Sequence, residues 1–287
     1  MDEIYAKFYN SLEIGDNYPT IVMGVINLSP ESFYKGSIYG NAKKLESAIK
    51  NMISNGAVML DLGARSTAPW AEKITIEEEI NRMELAMNNV CKIIPNNIIL
   101  SIDTQYRRVA QRALEISAKF KKKIIINDVS CLKTDPDLGN FVTEHDLPII
   151  LMASRETPGD LLTIDEIRHE FNKTVELLVS KGYDEKKIIL DPGIGRWVDK
   201  KTSEFDLKII GNLSMLRSLN KPILVAISRK SFIGATLNIP EPEKRLNGTL
   251  SATAIAVYKG AHIIRTHDVN QQLTEIIKIA EEIRKNE

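Results

Sequence analysis

The 287-residue chain is short of several things, and each shortage removes a class of protein. Its two cysteines, Cys91 and Cys131, are too few for a disulfide framework and lack metal-ligand spacing, so both are expected to be small buried hydrophobes. Net charge is missing too: 38 basic residues cancel 38 acidic ones, which leaves no bulk charge to drive nucleic-acid or membrane binding. No apolar run approaches the roughly 18 residues of a membrane span. The N-terminus MDEIYAKFYN has acids near its start and no apolar core, so no secretory signal is expected and the cytoplasm is the expected compartment. HExxH, paired CxxC and tight carboxylate clusters are absent, as are GxGxxG and Walker-type loops; Gly193 and Gly195 are too few and differently spaced.

What is present is an alternation. Short Ile- and Val-rich runs at 20–27, 57–63, 97–103, 123–129, 147–153, 187–193, 221–228 and 261–267 read as strands buried on both faces. Between them, segments 41–56, 75–90, 104–117, 135–145, 163–180, 203–219, 244–259 and 269–284 carry helical patterns. The first ends at Gly56, a C-cap signal, and the second has Glu in its first turn. The basic run KFKKK (119–123) suits a solvated helix C-terminus. Such an α/β alternation predicts a single-domain (β/α)8 barrel over residues 20–287, with residues 1–19 as an extension packed on it. A doubly wound open sheet is the alternative that pattern alone leaves open.

The strand ends carry the chemistry. They hold Asn27, Asp61, Asp103, Asn127, Asp191, then Ser228 with Arg229 and Lys230, and finally Arg265 with His267; only the fifth strand ends neutrally, in Met152 and Ala153. In a barrel these ends converge on one face, where active sites of this fold are built. One Asp before a helix, such as Asp103, reads equally well as a cap, but so many polar ends are hard to explain by caps alone. Carboxylates and amides at the mouth can hold a flat heterocycle rich in N–H donors, with Lys230 donating to its acceptor. Arg265 and His267, ahead of the last helix, suit a phosphate. The other histidines, 145, 169 and 262, read as incidental.

The motifs resemble one family. MGVINLSPESF (23–33) is similar to the MGILNVTPDSF signature of dihydropteroate synthases, and LDLGARSTAPWA (60–71) to their second loop. SIDT (101–104), INDV (126–129), DPGIG (191–195), SRKSFIG (228–234), RLNGTL (245–250) and RTHDV (265–269) follow in the family's order. The resemblance implies a (β/α)8 barrel, usually dimeric, joining hydroxymethyl-dihydropterin diphosphate to p-aminobenzoate with release of diphosphate. It also implies that Asp103, Asn127, Asp191 and Lys230 hold the pterin, and that Asn27, Arg265 and His267 hold the diphosphate. Mg²⁺ is then expected near Asn27, and Ser66, Thr67 and Ser228 on the acceptor side. Asp103, Lys230, Arg265 and His267 are the residues expected to act on the reaction itself, and loops 28–40 and 64–74 are expected to close over the site.

The chain departs from the family on its loops. Ala64, Arg65, Ala68 and Trp70 stand where the second loop usually has Gly, Glu, Arg and Gly; Glu31 and Lys35 stand for Asp in the first. After DPGIG come Arg196 and Trp197, where the family has Phe and a small residue. One reading is drift. Another is a bulkier arylamine bearing carboxylate or phosphate, such as the ribosylated aminobenzene phosphate of methanopterin synthesis, with Arg196 and Arg65 as anion partners. Two other classes remain: a pterin-dependent methyltransferase serving a corrinoid protein, against which Lys230, Arg265 and His267 argue, and a non-catalytic pterin-binding protein.

Overall fold

A computed structural model of the chain describes residues 3–9, 11–28, 42–66, 71 and 73–286. An N-terminal hairpin, β1 (Tyr5–Phe8) and β2 (Leu12–Gly15), precedes β3 (Ile21–Asn27), α1 (Ala42–Ser54), β4 (Ala57–Gly63), α2 (Ile76–Ile93), β5 (Ile99–Asp103) and α3 (Arg107–Lys119). Then follow β6 (Lys123–Asp128), α4 (Asp137–Glu144), β7 (Ile149–Met152), α5 (Ile164–Ser180), β8 (Ile188–Asp191), α6 (Ser203–Gly211), β9 (Leu224–Ala226), α7 (Ser231–Leu237), α8 (Leu246–Tyr258), β10 (Ile263–Thr266) and α9 (Gln271–Lys285). Helix starts are written locally: Thr75 with Glu78, and Thr163 with Glu166, form capping boxes that fix the first turns of α2 and α5.

The eight-stranded parallel sheet runs β8-β7-β6-β5-β4-β3-β10-β9. Its two ends meet where Leu190 bridges Ile223 and the Leu190 N–H donates to the Pro222 carbonyl at 2.9 Å. That contact closes the sheet into a (β/α)8 barrel and excludes the open doubly wound alternative. Two smaller differences concern helices. The segment read as one helix over 203–219 breaks after Gly211, a poor helix former, into a 3₁₀ turn over Leu213–Leu219. The seven-residue α7, directly after Lys230, was not legible as a helix.

Alternation along each strand sorts the residues. Leu60, Leu62, Leu100, Ile102, Ile124, Ile126, Leu151 and Leu190 belong to the layer between strands and helices, whereas Met23, Met59, Ile99, Ile125, Ile150, Ile189, Leu224 and Ile263 fill the barrel interior. Ala6, Phe8 and Ile14 of the hairpin join that inner cluster, so the hairpin seals the N-terminal end of the barrel. Two hydrogen bonds from Arg217 to Asp16, at 2.6 and 2.8 Å, fasten it there. His262, expected to be incidental, is buried beside them: its Nδ1 accepts the Ile223 N–H at 3.1 Å and its Nε2 lies 3.3 Å from Asp16.

Candidate active site

Counting in twos up the inward face reaches the polar residues. Met59 is followed inward by Asp61 and Gly63, Ile99 by Ser101 and Asp103, Ile125 by Asn127, Ile189 by Asp191, and Ile263 by Arg265. Strand register then aligns them: Asn27 pairs with Gly63, Gly63 with Asp103 and Asp103 with Asn127 in one row, while Asp61 pairs with Ser101 in the row below. Gly63 leaves that upper row open, since a Cβ there would lie 3.5 Å from Asp103 Oδ2 and 3.8 Å from Asn27 Oδ1.

Asp61 is the hub. Fully buried, it accepts hydrogen bonds from the Ser101 hydroxyl, from Asn127 Nδ2 at 3.2 Å and from Arg265 Nε at 2.7 Å. The second guanidinium nitrogen of Arg265 reaches Asp103 at 3.1 Å, so one cation lies between two carboxylates. Burial and the neighbouring Asp61 charge push the Asp103 carboxyl well above its ordinary value, partly offset by Arg265. Asp191 is likewise raised by burial, although Lys230 and the Gly193 N–H, 2.8 Å from its Oδ1, work the other way. Sequence reasoning saw Asp61 at a strand end without giving it a role; its two-residue spacing from Met59 was the available signal.

The opposite rim is cationic. Lys230 precedes α7 and donates to the Ile194 carbonyl. Burial lowers its pKa to about 8, with Arg265 adding to the shift and Asp191 opposing it. Ser228 Oγ accepts the His267 N–H at 3.2 Å and lies 3.0 Å from His267 Nδ1. Burial, then the charges of Arg265, Arg229 and Lys230, push the His267 imidazole down to about 3, so it serves as a neutral hydrogen-bonding group. Arg229, grouped by sequence with Lys230, instead grips Asp268 through two bonds of 2.7 and 2.8 Å and ties the β9 and β10 loops together. Its φ of +57° places it in the left-handed region, a strain these contacts sustain.

The structure thus gathers Asn27, Asp103, Asn127, Asp191, Lys230, Ser228, Arg265 and His267 at the C-terminal mouth. Ser66 lies at the edge of the described residues, whereas Thr67, Ala68, Trp70, Glu31 and Lys35 lie outside them, with most of the first loop expected to close and part of the second. Arg196, expected on the acceptor side, is exposed and pairs with Asp199 of its own loop at 3.3 Å, an arrangement that keeps both charges in water. Trp197 turns inward instead: its ring centroid is 5.5 Å from Lys230 Nζ, and it packs so tightly on Gly159 that a Cβ there would meet its ring at 2.1 Å. Arg65 is also committed, to Glu79 at 2.5 Å, to the Ile74 carbonyl at 2.7 Å and to the face of Tyr106 at 5.1 Å.

A family model described as "Pterin binding enzyme" matches residues 23–267. The chain is 36% identical over 252 residues to a dihydropteroate synthase of Bacillus subtilis, covering 88% of this chain and 85% of that one. It is 35% identical over 295 residues to one of Synechocystis, covering 98% of each. The chain belongs to the dihydropteroate synthase family. Among solved structures, a dihydropteroate synthase of Coxiella burnetii in complex with pteroic acid matches with a TM-score of 0.85 at 29% identity, covering 99% of this chain and 100% of that one. A Yersinia pestis dihydropteroate synthase with a sulfonamide drug complex matches with a TM-score of 0.85 at 28% identity, with the same coverage.

Within the family fold, the Asp61 hub should be a stability element as well as a site support. Asp61→Ala leaves Arg265 and Asn127 without their shared acceptor and is expected to destabilise the protein by about 3 kcal/mol. Ser101→Ala should cost only about 1 kcal/mol. Urea unfolding measures both, and equal small effects would remove Asp61 from the centre of the network.

Proposed function

We propose that this chain is a dihydropteroate synthase: it joins 6-hydroxymethyl-7,8-dihydropterin diphosphate to p-aminobenzoate and releases diphosphate. The observation that carries the reading is the convergence of carboxylates, an amide and two cations on one barrel mouth, in a chain whose relatives bear that activity in their names. The named relatives offer no support for a methyltransferase or a non-catalytic binder. Asp103, Asn127, Asp191 and Lys230 hold the pterin, the carboxylates and amide facing its N–H groups and the ammonium its acceptors. Arg265, His267 and Asn27 hold the diphosphate; Ser228, Ser66 and Thr67 face the arylamine. Arg65 and Arg196 are already paired, so nothing in the described residues favours a larger anionic acceptor.

The methylene C–O bond breaks as the diphosphate leaves with the bonding electrons. The pterin ring spreads the positive charge on the methylene, and the arylamine nitrogen forms the new C–N bond and loses a proton. Binding both partners side by side replaces a nucleophile from the protein, and Arg265 stabilises the charge growing on the leaving group. Magnesium suits this site only as a partner of the diphosphate: among the described residues no cluster of His, Cys, Asp and Glu could hold a metal, and Asn27 offers one hard amide oxygen. Bound with the diphosphate, it would neutralise phosphate charge beside Asn27.

We also infer a homodimer through α8 and α9. The thirteen residues of α8 include no charged side chain, a composition suited to burial on both sides. Yet Ile255 is 49% exposed and lines an apolar groove with Ile279 and Ile283 of α9, which are 65% and 56% exposed. Among the described residues no helix is long and apolar enough to cross a membrane. The two cysteines are free and buried, which supports a reducing cytoplasm.

Purified protein given the pterin diphosphate, p-aminobenzoate and Mg²⁺ should form dihydropteroate with stoichiometric diphosphate, and Arg265→Ala should cut kcat/KM by about 100-fold or more; no product from the wild type would reject the reading. Because Lys230 is charged only below its pKa, kcat/KM for the pterin substrate should fall as pH rises through about 8. Lys230→Arg, which stays charged there, should abolish that decline even where its rate is lower, and a decline persisting in the variant would assign it elsewhere. Light scattering should give twice the chain mass, with Ile255→Glu plus Ile279→Glu giving the monomer; a monomeric wild type would refute the dimer.

A further inference from the structure

A buried lysine lies behind the pterin pocket, its ammonium hydrogen-bonded to backbone carbonyls and close enough to Asp191 and Lys230 to act on their charges. Lys201 is 0% exposed, in a segment that follows the DPGIG loop. Its ammonium donates to the Gly193 carbonyl at 2.6 Å and to the Gly159 carbonyl at 3.5 Å. Asp206 of α6, 1% exposed, lies 3.8 Å from it and uses Oδ1 to accept the Gly195 N–H at 2.8 Å. One buried ion pair therefore holds the loop after β8 at Gly193 and Gly195, and joins it to the loop after β7 at Gly159.

The residues so held flank the groups that face the pterin. Asp191 receives the Gly193 N–H, and Lys230 donates to the Ile194 carbonyl. Gly195 lies so close to Lys230 that a Cβ on it would come within 3.3 Å of the ammonium nitrogen. Stability does not explain the arrangement. Burial disfavours both charges, raising Asp206 and lowering Lys201, and Asp206 Oδ2 has no hydrogen-bond partner. Such a pair is poor evidence of stabilisation, since a well-packed apolar replacement commonly does as well.

We propose that Lys201 and Asp206 are positioning residues that set the relative placement of Asp191 and Lys230 and thereby the affinity for the pterin ring. The inference rests on the pterin-site reading above but not on turnover. Its prediction is selective: the pair acts on the pterin side and leaves the arylamine side alone.

The test uses the full chain with Lys201→Met, Asp206→Asn and the double variant. Calorimetric titration with 6-hydroxymethylpterin is read beside steady-state KM values and melting temperature. In Lys201→Met the pterin dissociation constant and the KM for its diphosphate should rise about 10- to 100-fold, the range expected when a binding group is displaced by a fraction of an ångström. The KM for p-aminobenzoate should stay within about twofold, whereas the melting temperature should fall, because Asp206 keeps a buried charge with no cation beside it; the double variant, which removes both charges, should recover most of that fall while still binding the pterin weakly. Asp206→Asn keeps an acceptor for Gly195 and should weaken pterin binding by about threefold or more. Unchanged pterin affinity in a folded Lys201→Met protein overturns the proposal. So does a parallel loss of both affinities, which would make the pair scaffold only. Should Lys201→Met fail to fold, Asp206→Asn decides, and unaltered pterin affinity there is equally fatal. A wild type that binds the pterin without turnover would reject the synthase reading while leaving this comparison intact.

Discussion

A strand in a closed barrel must turn every second side chain inward, and the whole of this molecule hangs on which set of residues it turns. Along β4 the inward set is Met59, Asp61 and Gly63, while Leu60 and Leu62 face the helices. A slip of one residue would exchange the two sets, putting Asp61 against the apolar helix layer and Leu62 in the mouth. The same holds for Ile99–Ser101–Asp103 on β5 and Ile125–Asn127 on β6, so the burial that specifies register also specifies the site. Lower layers of the inward face are apolar and sealed by Phe8 and Ile14; upper layers are polar. Scaffold and site are two ends of one alternation.

The polar end is built under electrostatic tension. Asp103 and Asp191 are pushed toward their neutral forms and Lys230 toward its own, although each has an opposite charge nearby. Arg265 cannot resolve this alone, because one guanidinium divides itself between Asp61 and Asp103. In the proposed reading, the N–H donors of the pterin ring would meet the carboxylates and its diphosphate tail would meet Arg265. Such a ligand would ease the electrostatic tension of the rim, which ties affinity to the geometry of these groups.

Much of this could be read before any coordinates, because it follows from local pattern. The strands, the polar strand ends and the motif order all lie within short stretches of chain. What could not be read was pairing across the fold. Asp61 and Arg265 are 204 residues apart, and nothing local in either marks the other as its partner. Lys200 and Lys201 are identical neighbours in sequence, yet Lys201 is fully buried while Lys200 is exposed. His262 looked incidental for the same reason, its partners being Asp16 in the hairpin and the Ile223 backbone. The helix α7 escaped because seven residues are too few to show a period.

The departures from the family pattern divide along the same line. Arg196 and Trp197 are neighbours with opposite fates: the cation faces water beside Asp199, and the indole closes over Gly159 toward Lys230. Arg65, on the other altered loop, is spent on Glu79, which also accepts the Thr104 hydroxyl at 2.6 Å next to Asp103. A site reshaped for an acceptor with an added phosphate would be expected to present a cation toward the mouth, held ready for that anion. Here both of the unfamiliar arginines have anionic partners in their own surroundings, and Trp197, which turns inward, is an uncharged ring. Among the described residues, Trp197 therefore reinforces the wall beside Lys230, while Arg65 and Arg196 spend their charge on partners of their own.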